Sequence, residues 1–201
     1  MRTRPRVLLD IDGVCADFIT RALKHLEPIR PGLSHDDITA YRMEIPIGLT
    51  EAQTALWHQA VCERGYCASI PTYAGAKEGV ARLKELGDVH PVTFPFPGSP
   101  WWILERETWL QEHLGIDPGM AVYTKTKHVI AGDIFIEDTT SYLVEWRKHN
   151  PDGAAFRMRR AYNAHEPFTH GITVGDWSEL VREVETVLDL RERQRRAVYD
   201  D

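Results

Sequence analysis

A chain of 201 residues has room for one domain with an insertion, or for two small lobes, and for a substantial core. Apolar residues make up 43% and charged residues 27%, an ordinary globular balance, and no apolar run approaches the length of a membrane span. The formal charge of −6 argues against a non-specific nucleic-acid binder, which needs a basic face, but not against a small anionic substrate.

The start, residues 1–6, is basic and lacks the apolar stretch of a secretory leader. The three cysteines, Cys15, Cys62 and Cys67, are an odd count without a close Cys-x-x-Cys pair. That fits a reducing cytoplasm, and no second half completes a zinc site around Cys62 and Cys67. A cytoplasmic protein with no membrane partner is therefore expected.

Pro5 and Gly13 bracket the apolar run Val7-Leu8-Leu9, which predicts a buried strand ending at Asp10 and Asp12. Phe18, Ile19, Ala22, Leu23 and Leu26 then recur at helical spacing until Pro28 and Pro31. Ser34 opens a further predicted helix, and Thr50 with Gln53 forms a capping box for another. Residues 18–73 carry no convincing parallel strand and are predicted as a small helical insertion.

The alternating pattern resumes at residue 74. Residues 75–86 predict an amphipathic helix with Gly87 as its C-cap, and 88–94 a strand. A proline-rich loop leads to a long helix over 101–114, closed by Gly115. Short strands follow at 120–123 and 133–138, a helix at 142–149, and a fifth strand at 154–158. Residues 178–191 predict a C-terminal amphipathic helix, with the mixed charges of 191–196 as its solvated end. Strands alternating with helices imply a Rossmann-like α/β fold with a mainly parallel sheet and right-handed crossovers.

Two carboxylates where a buried strand stops are costly unless a cation neutralises them, and ligands bind at the carboxyl ends of such strands. Glu137 and Asp138 repeat the signal after the apolar run Ile134-Phe135-Ile136. Asp133, at the start of that run, is a competing acid.

The run Asp10-Ile11-Asp12-Gly13-Val14 resembles the first motif of the haloacid dehalogenase (HAD) phosphatase superfamily. Extended through Cys15, Ala16, Asp17 and Phe18, it resembles the narrower 5′(3′)-deoxyribonucleotidase family. Thr93 is similar to the second motif, Lys127 to the third, and Glu137 with Asp138 to the fourth, where the family usually has two aspartates. Residues 100–110 and Arg160-Ala161-Tyr162-Asn163 resemble further family segments, with Ala161 in place of a proline.

The resemblance implies a HAD core over 1–17 and 74–201, with residues 18–73 as a helical cap. It implies a Mg²⁺-dependent phosphoric monoester hydrolase of the 5′-nucleotidase type, acting on nucleoside monophosphates, deoxy ones preferred. Asp10 would be the nucleophile, forming an aspartyl-phosphate, and Asp12 the general acid and base. Thr93, Lys127 and Lys125 would hold phosphate. Asp10, Asp12 (through its backbone carbonyl), Glu137 and Asp138 would hold Mg²⁺, with Glu137 favoured for direct contact. Phe18, Tyr41 and Trp57 would touch substrate, with Tyr66 extending their aromatic wall. A homodimer is compatible with the resemblance; nucleic acid as a partner is not expected. The alternatives are a HAD phosphatase for another small ester, such as a sugar phosphate, and a non-catalytic HAD-like binding module.

Overall fold

A computed structural model describes residues 4–199. Six strands form one sheet in the order β3-β2-β1-β4-β5-β6, and every pairing is parallel. The strands are β1 (Arg6–Leu9), β2 (Asp88–Thr93), β3 (Val122–Tyr123), β4 (Ile134–Glu137), β5 (Ala154–Met158) and β6 (Ile172–Val174). The helices are α1 (Phe18–Leu26), α2 (Glu51–Val61), α3 (Ala76–Leu86), α4 (Trp102–Leu114), α5 (Thr140–His149) and α6 (Trp177–Tyr199).

Strand residues alternate between two cores. Val7, Leu9, Ile134 and Ile136 face a large cluster with Val80 and Leu83 of α3, Trp102 and Trp109 of α4 and Leu180 and Val184 of α6. Leu8 and Phe135 face a smaller one with Leu143 and Trp146 of α5. A sheet covered on both faces explains why its strands read as continuous apolar runs. Among the described residues no helix is long and apolar enough to cross a membrane.

Residues 18–73 contain α1 and α2 and no strand of the sheet. Asp17 caps α1 through Thr20 N–H at 2.9 Å, and the capping box of Thr50 with Gln53 forms as expected. The two ends of this block leave the core side by side. Asp17 N–H donates to Pro71 O (2.7 Å) and Tyr73 N–H to Cys15 O (2.8 Å).

Three local expectations need correction. The helix expected from Ser34 is only a 3₁₀ turn, His35–Asp37, because Asp37 caps back onto Ser34 and Ile38 leaves helical geometry. Gly87 ends α3 in extended backbone, not in a left-handed cap. Glycine suits it because a Cβ there would lie 2.5 Å from Pro5 O. The expected five strands become six: β6 pairs with β5 at the sheet edge.

Candidate active site

The strand order reverses direction at β1, with β2 on one side and β4 on the other. A crevice outside the carboxyl ends of the strands at such a switch point is where open parallel sheets bind ligands. Asp10 follows β1 directly, and its N–H donates to Ile136 O at 2.9 Å. Glu137 ends β4 and Asp138 follows it. Ladder pairing therefore brings together acids 127 residues apart in sequence. Asp133 does not join them: it lies before β4, at the other end of the strand, where its carboxylate accepts from Arg6 N–H at 2.7 Å.

Asp10, Glu137 and Asp138 are all buried, and one carboxylate oxygen of each lies within 4.8 Å of the others. Lys127, also buried, stands between two of them. Its Nζ donates to Asp10 Oδ1 and to Glu137 Oε2, each at 2.6 Å. Glu137 Oε1 accepts the backbone N–H groups of Asp138 and Thr139, each at 3.0 Å. Both oxygens of Glu137 are thus engaged within the protein.

Burial dominates the electrostatics. It pushes the Asp10 carboxyl well above the usual aspartate range, reinforced by the charge on Glu137 and opposed by Lys127. Burial raises Glu137 to about 7 against the pull of Lys127, and raises Asp138. It works against the Lys127 ammonium too, but Asp10 and Glu137 outweigh it and hold the lysine protonated. Oxygen donors only, in an excess of negative charge that one lysine does not balance, suit a hard divalent cation such as Mg²⁺.

This sets a sign for pH dependence. The Glu137 carboxyl is raised from 4.5 to about 7 in the fold, so the native state binds the extra proton between those values. Stability from this group is full below pH 4.5 and is lost as pH rises through 7. With EDTA present, wild type should lose about 3 kcal/mol relative to Glu137→Gln between pH 4 and pH 8. Denaturant melts at both pH values measure it; a constant difference contradicts the assignment.

Asp12 points elsewhere. Its Oδ1 accepts from Arg106 Nη2 at 2.6 Å, and its side chain is 26% exposed, open to the cleft described below. Its carboxylate is therefore not one of the clustered three. Arg106 is fully buried on α4, with its guanidinium 5.4 Å from the Trp102 ring and 5.0 Å from the Trp109 ring. The sequence signal was a charged residue on an apolar helix face, four after Trp102 and three before Trp109, and sequence reasoning gave it no role.

Gly13 lets the Asp12 loop turn, with φ +81°, and a Cβ there would overlap Asp138 Oδ2 and the Tyr162 hydroxyl. Thr93, the last residue of β2, is buried at the carboxyl end of that strand. Tyr162, Asn163 and Arg160 also contact the acidic loops, a role sequence reasoning did not give them.

A cleft of about 510 Å³ opens onto Asp12 and Asp138. That lies within the ~300–1,000 Å³ usual for small-molecule sites. Phe18, Phe94, Phe96, Trp57 and Trp102 line its apolar side; Lys125 brings positive charge to it, while Arg42 donates to Glu44 of the same lining at 2.8 Å. Phe18 is the hub of the wall, with ring centroids 6.2 Å from Trp57 and Trp102 and 6.5 Å from Phe96. Trp57 is 3% exposed, whereas Tyr41 is 69% exposed and also lines the cleft. Tyr66 packs on Phe18 at 6.3 Å and is buried away from the cleft lining. Lys125 is exposed, 5.7 Å from the Phe94 ring, and stands apart from the buried lysine.

Comparison with known proteins agrees on the family. A family model described as "5' nucleotidase, deoxy (Pyrimidine), cytosolic type C protein" matches residues 4–191. The mitochondrial 5′(3′)-deoxyribonucleotidase of Mus musculus is 28% identical over 144 residues, 66% of this chain and 64% of that protein. The cytosolic-type 5′(3′)-deoxyribonucleotidase of Homo sapiens is 25% identical over 175 residues, 80% and 82% of the two chains. The match spans less than two thirds of the mitochondrial relatives' length. A haloacid dehalogenase-like hydrolase from Xanthomonas campestris aligns with a TM-score of 0.57 at 15% identity, covering 95% of this chain and 94% of that one. The HAD hydrolase YfnB of Bacillus subtilis, solved bound to magnesium, aligns with a TM-score of 0.56 at 16% identity, covering 90% and 98%. At these identities the two structures share the fold.

Proposed function

Because the chain belongs to the deoxy (pyrimidine), cytosolic type C 5′ nucleotidase family, we propose that it is a Mg²⁺-dependent phosphatase of nucleoside monophosphates, deoxyribonucleotides preferred. The observation that carries this reading is a single cleft running from the aromatic wall at Phe18 to Asp12 and Asp138. The wall suits a base, Lys125 suits an anion, and the acids, with a cation bound, suit the reacting phosphate. Residues 18–73 act as the cap, which supplies Phe18 and Trp57 to the wall, while Phe94, Phe96 and Trp102 come from the core. The three free cysteines suit the reducing cytosol.

Asp10, the Asp12 backbone carbonyl and Asp138 would hold the cation. Asp138 is preferred over Glu137 for direct contact, because both Glu137 oxygens are already taken by Lys127 and backbone N–H groups. When bound, Mg²⁺ offsets the repulsion between the phosphate dianion and the carboxylates.

The residues then divide the work. Asp10 Oδ1 is held by Lys127, which leaves Oδ2 to attack phosphorus in line. The phosphorus–ester oxygen bond breaks, and its electron pair leaves with the alcohol oxygen. The Asp12 carboxyl gives that oxygen its proton. Asp12, now ionised and steadied by Arg106, takes a proton from water as the water attacks the aspartyl-phosphate. Phosphate departs, and the electron pair returns to Asp10. Lys127 and Thr93 hold the phosphoryl oxygens as their charge shifts.

Phosphate release from deoxy- and ribonucleoside monophosphates and sugar phosphates, with Mg²⁺ and with EDTA, tests the reading. Mg²⁺-dependent release favouring deoxynucleotides is expected. Equal turnover of sugar phosphates would overturn the nucleotidase claim and keep the Asp10 chemistry. Stacking on an aromatic contributes ~1–3 kcal/mol per base. Phe18→Leu is therefore expected to raise KM for nucleotides about tenfold. Hydrolysis of a small aryl phosphate should change little; equal losses on both substrates would remove Phe18 from base recognition.

A further inference from the structure

Residues 160–163 tie the two acidic loops together. Arg160 Nε donates to Gly13 O at 2.6 Å, in the loop after Asp12. Asn163 is 1% exposed, and its Nδ2 donates to Asp138 O (2.7 Å) and Met158 O (2.8 Å). Its Oδ1 accepts Arg160 N–H at 2.8 Å, which closes the turn on itself. From this turn the Tyr162 hydroxyl donates to Asp138 Oδ2.

The phenol has little freedom to leave. Tyr41 packs edge-on against its ring at 6.4 Å and 78°, and Gly13 lies so close that even a Cβ would overlap the hydroxyl. The two oxygens of Asp138 are therefore unequal. Oδ2 is held by the half-buried phenol, while the hydrogen bond at Oδ1, from Thr139 Oγ1, is long at 3.5 Å.

We propose that Tyr162 is the positioning residue for Asp138: its hydroxyl holds Oδ2 and so fixes Oδ1 as the oxygen presented to the divalent cation. Asn163 and Arg160 lock the turn that carries it. This rests on the reading of Asp138 as a cation ligand. Partners that orient a ligating carboxylate typically contribute about 10–100-fold to metal affinity. A tyrosine that merely filled space would contribute none through its hydroxyl.

The test is calorimetric titration of the full chain with Mn²⁺, comparing wild type with Tyr162→Phe, beside thermal melts in EDTA. The ring stays, so the melting temperature should hold within about 2 °C while Mn²⁺ affinity falls at least about tenfold. Unchanged affinity in the variant overturns the proposal and leaves the cation site standing. A large fall in the EDTA melting temperature also overturns it, since the hydroxyl would then serve the fold. No Mn²⁺ binding by wild type removes the cation reading and the proposal together. Nucleotide turnover is not needed for any of these outcomes.

Discussion

Asp10→Asn is expected to lower phosphate release by about 10⁴-fold or more and, with EDTA present, to raise the melting temperature. Both effects come from one carboxyl. An amide oxygen of the same shape is a poor nucleophile, so the aspartyl-phosphate cannot form. In the folded chain the Asp10 carboxyl is raised by burial and by the charge on Glu137, so its ionised form is a cost at neutral pH. A neutral amide removes that cost while Lys127 keeps Glu137 as a partner at 2.6 Å. A raised carboxyl contributes stability below its unfolded value and loses it as pH rises through the folded one. The gain in melting temperature should therefore be present at pH 8 and vanish as pH falls well below the free aspartate value of 3.8, where the carboxyl is protonated in both states. Activity within tenfold of wild type would place the nucleophile elsewhere. Lost activity with higher stability is the pattern of a site strained for function.

What the sequence made legible was local or anomalous. The strand at Val7 to Leu9 and the capping box of Thr50 with Gln53 follow from neighbours in the chain. The acids at the ends of β1 and β4 stood out because polar groups rarely end buried strands without a purpose. That Asp138 and not Asp133 reaches the site needed strand length, since β4 sets the two at opposite ends. Arg106 was hidden between Glu105 and Glu107; only the packing of α4 shows which face is inward. Tyr162 was hidden because its partner lies on another strand's loop, and a hydroxyl in a turn carries no pattern. β6 was hidden because three residues at a sheet edge are too few to show alternation. The contacts missed at the site were made by tertiary structure, whereas the Ser34 helix failed locally, where Asp37 caps back onto Ser34.

Lys127→Met is expected to destabilise the protein by about 3–5 kcal/mol, the cost of breaking a buried ion pair from one side. Methionine keeps most of the stem volume, so packing under the Tyr142 ring, 4.9 Å from Nζ, is largely preserved. What goes is the one charge set between Asp10 and Glu137 at 2.6 Å from each. Three buried carboxylates within 4.8 Å then face one another without it. Their pKa values move further up, the folded variant binds more protons than the unfolded chain, and its stability rises as pH falls. The melting gap to wild type should therefore narrow between pH 7.5 and pH 5. A divalent cation should narrow it at fixed pH, because a cation at the acids replaces part of the missing charge and binds the folded state alone. Activity should not return with it, since the cation does not replace the ammonium that Lys127 sets at 2.6 Å from Asp10. A gap insensitive to both pH and Mg²⁺ would mean that Lys127 stabilises through its stem, and that the acids are balanced by something other than the lysine.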